Sequence, residues 1–172
     1  MKTIASLFLF CFLLIATGMN AQQFEKDSFV TKNGQLDITF IKHGSLLFTY
    51  NGNTIYIDPV SDYADYSKLP KADVILITHE HADHLDAKAI ADIKKDNTIL
   101  VLTPASQEKL GEGQIMKNGD AQRLTPYLYA QAVPAYNTTP AHETFQPRHR
   151  ENGYILTIKD KRGYVAGYTE DM

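Results

Sequence analysis

His79-Glu80-His81-Ala82-Asp83-His84 gathers three of the chain's six histidines and two carboxylates into six residues. Imidazole and carboxylate side chains at this density are metal donors. As solvated histidines leading into a helix cap they would have no structural use. In an extended segment residues two apart point the same way, so His79 and His81 are placed to grip one divalent ion. Asp83 and His84 then turn to the other side, where a hard oxygen beside a borderline nitrogen suits a second ion, as in two-metal hydrolases. Zinc, as one or two ions, fits these donors, and manganese is admitted by the same set. The single cysteine, Cys11, lies far upstream in an apolar stretch, so a zinc–thiolate structural site is excluded and an open, water-bearing site is expected. An ion there lowers the pKa of bound water to about 7. Asp83 is the candidate catalytic residue, both holding metal and orienting that water.

Several elements must position this cluster. Val74-Ile75-Leu76-Ile77 reads as a strand buried on both faces and ends directly at the histidines. Strand ends are where α/β sheets place their sites. Ala87 to Lys95 carries Ile90 and Ile93 on one face of a short helix, and Thr98 to Leu102 returns as a buried strand. Thr103-Pro104 starts a second short helix that Gly111 stops. Upstream, a polar stretch runs from Gln22 to Lys32. Asn33-Gly34 then introduces a hairpin series in which Leu36, Ile38 and Phe40 share a face, and Asn51-Gly52-Asn53 turns Ser45–Tyr50 into Thr54–Ile57. Downstream, Leu128–Val133, Tyr154–Ile158 and Tyr164–Ala166 read as strands. The longest irregular stretch is Asn137 to Gly153, of a size usually given to functional loops.

The 172 residues, 44% hydrophobic and 22% charged, suit one globular domain. Residues 1–21 have the layout of a secretory signal peptide: Lys2, an uncharged apolar run from Ile4 to Ile15, then small or polar residues. The run is shorter than the roughly 20 residues that cross a bilayer. Cleavage after Gly18 or after Ala21 would leave a chain that begins at Met19 or at Gln22, with its domain over 22–172, periplasmic or secreted, without membrane attachment and without cysteine. Loss of Lys2 leaves 16 basic against 20 acidic side chains, a formal charge of −4. Nothing in that balance attracts nucleic acid. The basic cluster from Arg148 to Arg150 lies between Glu143 and Glu151 and reads as a solvated loop.

From about Leu36 onward the sequence resembles metallo-β-lactamase-fold hydrolases, particularly the branch similar to L-ascorbate-6-phosphate lactonase. The resemblance rests on Ile57-Asp58-Pro59, on Thr78 to Asp86 around the histidine cluster, on Pro134-Ala135-Tyr136-Asn137, and on Gly153-Tyr154-Ile155-Leu156 followed by Ala166-Gly167. It implies an α/β, four-layer αββα sandwich, here lacking most of its second half. His79 and His81 would serve a first metal site, and Asp83 and His84 a second. Asp58 would hold ligands by hydrogen bonds, or act simply as a turn residue before Pro59. Tyr136 would reach substrate or pack, and His43, in a Lys-His-Gly-Ser turn, is not expected to be a ligand.

Two positions depart from the family pattern. Relatives carry a third histidine where this chain has Gln146, and a bridging aspartate where it has Tyr168. A neutral phenol is a poor bridge. His142 and His149 lie near the first departure, and His142 is carried as a further candidate ligand. The resemblance therefore implies a metal-dependent hydrolase of small-molecule esters, lactones, amides or phosphoesters. The competing reading is a noncatalytic or truncated metal-binding module derived from such an enzyme.

Overall fold

Asn51 and Gly52 both take positive φ, 47° and 78°, the geometry that lets two residues reverse a twisted hairpin. They join β3 (Ser45–Tyr50) to β4 (Asn53–Ile57). The computed structural model describes residues 23–139, 147 and 150–170. The proposed leader, His142, Gln146 and His149 lie outside the described residues.

The apolar run before the histidines forms β5 (Val74–Leu76), parallel to β4 on one side and to β6 (Ile99–Leu102) on the other. Helix α1 (Ala87–Ile93) links β5 to β6. Its N-cap is Asp86, which accepts from the amides of Lys88 and Ala89 at 2.8 and 3.3 Å. Helix α2 (Pro104–Leu110) starts on the Thr103 cap and stops at Gly111, whose φ of 84° is the left-handed conformation glycine tolerates.

With β1 (Glu25–Thr31), β2 (Gly34–Lys42) and the two-residue β7 (Gln114–Ile115), these strands make one seven-stranded sheet in sequence order. A second, antiparallel sheet has the order β11 (Lys161–Val165), β10 (Glu151–Ile158), β9 (Leu128–Ala135), β8 (Ala121–Arg123). Strand alternation gives the first sheet two apolar faces. Phe48, Ile55, Val74 and Leu76 pack toward the second sheet, against Ala130, Tyr154 and Leu156. Tyr56, Ile75 and Ile77 face Ile90 and Ile93 of α1 and Tyr66 of a 3-10 turn. Helices, first sheet and second sheet are three layers of the expected four. Among the described residues no helix covers the outer face of the second sheet, where Tyr129, Gln131, Ile155 and Thr157 are half-buried. None of the described helices is long and apolar enough to cross a membrane.

Two expectations need correction. The polar stretch Gln22 to Lys32, ahead of the expected start of the hairpin series at Asn33, contains β1. Six of its seven residues are exposed, so it lacks the one-faced burial that gives a periodic signal. Ladder pairing with β2 holds it instead, helped by Ser28 and Lys26, which donate across the pair to Asp37 at 2.7 and 3.1 Å. The irregular stretch ending at Gly153 is also shorter than expected. β10 begins at Glu151, because Asn152 donates its backbone N–H to the Thr78 carbonyl at 3.0 Å and is thereby tied to the histidine loop.

Candidate metal centre

The histidine motif leaves β5 and curls rather than staying extended. The His81 carbonyl accepts from the amides of His84 and Leu85 at 3.0 and 2.8 Å. The far end is pinned by Asp86, which caps α1 and also accepts from the Ser61 amide at 2.8 Å. This turn, with the ends of β2 and β10, assembles two donor groups: His79, His81 and Glu151, and His43, Asp83 and His84. In each, one donor atom per residue lies within 4.8 Å of the others. The groups adjoin, since the His79 and His84 rings are 3.9 Å apart.

One buried carboxylate orients both groups. Asp58, just after β4, is 1% exposed and sits at φ 45°, a conformation aspartate accepts more readily than most residues. Its Oδ1 accepts from the Thr78 amide at 2.8 Å, and its Oδ2 accepts from the Thr78 hydroxyl at 2.6 Å. Oδ2 also lies 2.7 Å from His84 Nδ1, which therefore carries the proton. With the Thr78 hydroxyl donating to Asp58, the same oxygen can only accept from His79 Nδ1, 2.9 Å away. Both imidazoles are thus Nδ1-protonated and turn their Nε2 lone pairs into the site. Those two Nε2 atoms are buried and, among the described residues, have no hydrogen-bond partner, and neither has either oxygen of Glu151. Buried polar atoms are rarely left so, and a divalent cation suits lone pairs and carboxylate oxygens together. Gly44 leaves room for this arrangement, since a Cβ there would come within 2.8 Å of the His84 ring.

The electrostatics follow from burial. Burial pulls the His79 imidazole down to about 3, reinforced by His84 and His81. Burial pushes the Glu151 carboxyl up to about 8, reinforced by Glu80. Burial also pushes Asp83 upward, but its own backbone N–H and the neighbouring His84 and His43 outweigh this and hold it below the ordinary carboxylate value.

These shifts predict the pH profile of the metal-free chain. The folded pKa of Glu151 lies above its ordinary 4.5, so the folded state binds the extra proton and stability falls as pH rises from 4.5 through about 8. The folded pKa of His79 lies below its ordinary 6.5, so stability is lost as pH falls from 6.5 toward about 3. Maximum stability is expected where the two slopes cancel, between about pH 4.5 and 6.5. Thermal melts in chelator from pH 3 to 9 check this. Glu151→Gln should flatten the high-pH limb only, and a wild-type midpoint still rising from pH 6.5 to 8 would contradict the reading.

Of the residues singled out in the sequence, His79 and His81 come together, as do Asp83 and His84. His43 was not expected near a metal, yet its Nε2 is 3.1 Å from Asp83 Oδ2 and its ring is 5.0 Å from that of His84. It takes φ 54° in the turn after β2, and nothing in a lone turn histidine signals where that turn will dock. Glu151 gave no signal either, as one acid in a basic, aperiodic segment. Arg150 beside it pairs with Glu80 at the rim of the site. Tyr136 is half-buried beyond β9 and is tied to the last described segment, its amide donating to Thr169 Oγ1 at 3.2 Å. Tyr168 is 47% exposed, but the preceding Gly167 packs on Thr78, so the segment does reach the base of the motif.

Known proteins resemble this chain in sequence and in fold. A family model described as a beta-lactamase superfamily domain matches residues 37–169. UPF0173 metal-dependent hydrolases from Flavobacterium johnsoniae and Bacillus pumilus are 29% and 27% identical over 147 and 148 residues, or 78% and 76% of this chain. The chain spans 62% of the length of each. Among solved structures, a Parabacteroides distasonis protein proposed to be a metal-dependent hydrolase is 56% identical with a TM-score of 0.85, over 87% of this chain and 69% of that one. Igni18, a metallo hydrolase from Ignicoccus hospitalis, is 21% identical with a TM-score of 0.60, over 78% and 61% of the two chains, and shares the fold. A family match that runs from β2 past Gly167, through both sheets and every residue of the two donor groups, makes this chain a member of the beta-lactamase superfamily, akin to its metal-dependent hydrolases.

Proposed function

We propose that this chain is an exported metal-dependent hydrolase, with His79, His81, Asp83 and His84 holding one or two zinc or manganese ions. The observation that carries the proposal is the pair of buried, unpartnered Nε2 lone pairs, on His79 and His84, aimed at carboxylates. Such ions supply a Lewis acid that polarises a carbonyl or phosphoryl oxygen and acidifies water. The protein's own part is orientation and proton handling. Asp58 and Thr78 fix two imidazoles in the ligating tautomer. Asp83, with a half-exposed side chain and a lowered pKa, is ionised at neutral pH and positioned to orient a water molecule at the mouth. His142 is retained as a further ligand candidate.

Small esters, lactones, amides and phosphoesters are the substrate classes. Tyr168, in the place of a bridging carboxylate, favours the second reading of a metal-binding module without turnover. Metal content and hydrolysis of generic ester, lactone and phosphodiester substrates, before and after Asp83→Ala, separate the two. The enzyme reading expects a loss of about 100-fold or more in kcat/KM, since a positioned base alone is worth that much. Unchanged hydrolysis after Asp83→Ala rejects it, and bound metal with no hydrolysis in the parent chain selects the module. Export is tested by the mass of protein recovered outside the cytoplasm, expected to begin between Met19 and Gln22. A secreted chain retaining Lys2 would reject cleavage.

A further inference from the structure

We propose that Glu151 is itself a ligand of the ion held by His79 and His81, so that this chain builds a centre of two histidines and one carboxylate for a divalent first-row ion. The inference rests on the metal-binding reading above and adds to it a residue that the sequence motif does not contain.

Glu151 is 1% exposed, and among the described residues neither of its oxygens has a hydrogen-bond partner. The neighbouring cation, Arg150, is engaged by Glu80, and among the described residues no ion pair to Glu151 accounts for the buried acid. An ionised carboxylate is not buried without compensation, and a protonated one would still leave polar atoms unmet. The group facing it is not a donor: the His79 Nε2 lone pair is equally unpartnered, and one oxygen of Glu151 lies within 4.8 Å of the donor atoms of both His79 and His81. A single cation satisfies all of these atoms.

The position is also fixed by backbone rather than by a flexible arm. Glu151 opposes Ala135 in the β9–β10 ladder. The next residue, Asn152, donates its amide to Thr78 O, and its side chain donates to Met116 O at 2.8 Å. The carboxylate is therefore held against the start of the histidine motif whether or not metal is bound, which is how a preorganised ligand is built. Two neutral imidazoles and one carboxylate leave a divalent ion with a single net positive charge. They also add one hard oxygen, which widens acceptance from zinc toward manganese and ferrous iron.

The test uses the whole 172-residue chain, stripped with chelator and titrated separately with Zn2+, Mn2+ and Co2+, the last for its visible spectrum. Glu151→Gln keeps shape and volume. It is expected to weaken Zn2+ binding at least ~100-fold, the upper end of what losing a mere outer partner costs, to alter the Co2+ spectrum, and to abolish the metal-induced rise in Tm without lowering the metal-free Tm. Glu151→His should restore Zn2+ binding while reducing Mn2+ binding. A fall in metal-free Tm with unchanged titrations would make Glu151 a packing residue and overturn the proposal. His79→Ala is the reference. If it loses metal while Glu151→Gln binds as the parent does, only the Glu151 assignment fails. If His79→Ala also binds as the parent does, the metal-centre reading itself fails.

Discussion

Asp58→Asn is expected to leave the protein folded and to remove most of its metal binding. The replaced group accepts from the Thr78 amide at Oδ1 and contacts the Thr78 hydroxyl and His84 Nδ1 through Oδ2. A carboxamide at this position must keep its one oxygen toward the backbone amide, which can only donate, so its NH2 faces the other two groups. His84 Nδ1 would then have to accept, moving its proton to Nε2. The Thr78 hydroxyl would also become an acceptor from the new NH2 and would donate to His79 Nδ1, moving that proton to Nε2 as well. Both inward lone pairs disappear through one isosteric change, so the loss should exceed the ~10- to 100-fold typical of removing one outer partner of a metal ligand. Stability should fall by only about 1 kcal/mol, because neutral hydrogen bonds replace charge-assisted ones.

Asp58→Ala makes the contrast. It strands the Thr78 amide, the Thr78 hydroxyl and the His84 N–H in a buried site and should cost about 3–5 kcal/mol. Zinc titration by calorimetry and denaturant unfolding of the metal-free forms measure the two effects separately. Parent-like zinc affinity in Asp58→Asn would show that the imidazole tautomers are not set through Asp58.

Legibility in the sequence followed physical type. Val74–Leu76 and Ile99–Leu102 became central parallel strands because each is buried on both faces, and a continuous β-branched run has no other comfortable place. Asn51-Gly52, the Thr103 cap and Gly111 were readable because each performs a local backbone task that few residues can. The family match over residues 37–169 agrees with the resemblance drawn from the histidine motif. What escaped depends on long-range contact. Strand β1 is held by pairing rather than by burial, and β7 and β8 are two and three residues long, below the length at which a period exists. His43 and Glu151 lie 36 or more positions upstream and 67 or more downstream of the motif. Only the docking of a hairpin turn and the register of β10 bring them to it, and neither is encoded near those residues. The motif's own geometry was read only partly, since it curls through bonds to the His81 carbonyl instead of running extended.

The departures from the family pattern make a prediction of opposite sign, a gain. Tyr168→Asp is expected to tighten metal binding and to raise the number of ions per chain toward two. The segment that carries it is already held in place. Gly167, at φ 67°, approaches Thr78 so closely that a Cβ would lie 3.1 Å from the Thr78 Cβ, and Thr169 Oγ1 donates to the Tyr136 carbonyl at 2.8 Å. Glu170 accepts from the amides of Thr138 and Thr139 at 2.9 and 2.7 Å. A carboxylate introduced at 168 would thus be presented from an anchored turn beside the motif, with little ordering left to oppose binding. A phenol, by contrast, is a poor ligand at neutral pH. Since losing an outer partner alone costs about 10- to 100-fold, gaining an inner one should exceed that. Gln146→His tests the other departure. If Glu151 already completes the group with His79 and His81, the histidine should add little by itself, and the double variant should bind about as tightly as Tyr168→Asp alone. If Glu151 is not a ligand, the two replacements should each contribute and their effects should multiply. Zinc titrations of the parent, both single variants and the double variant form that cycle. No gain in any of the three would show that positions 146 and 168 are not the family's ligand positions.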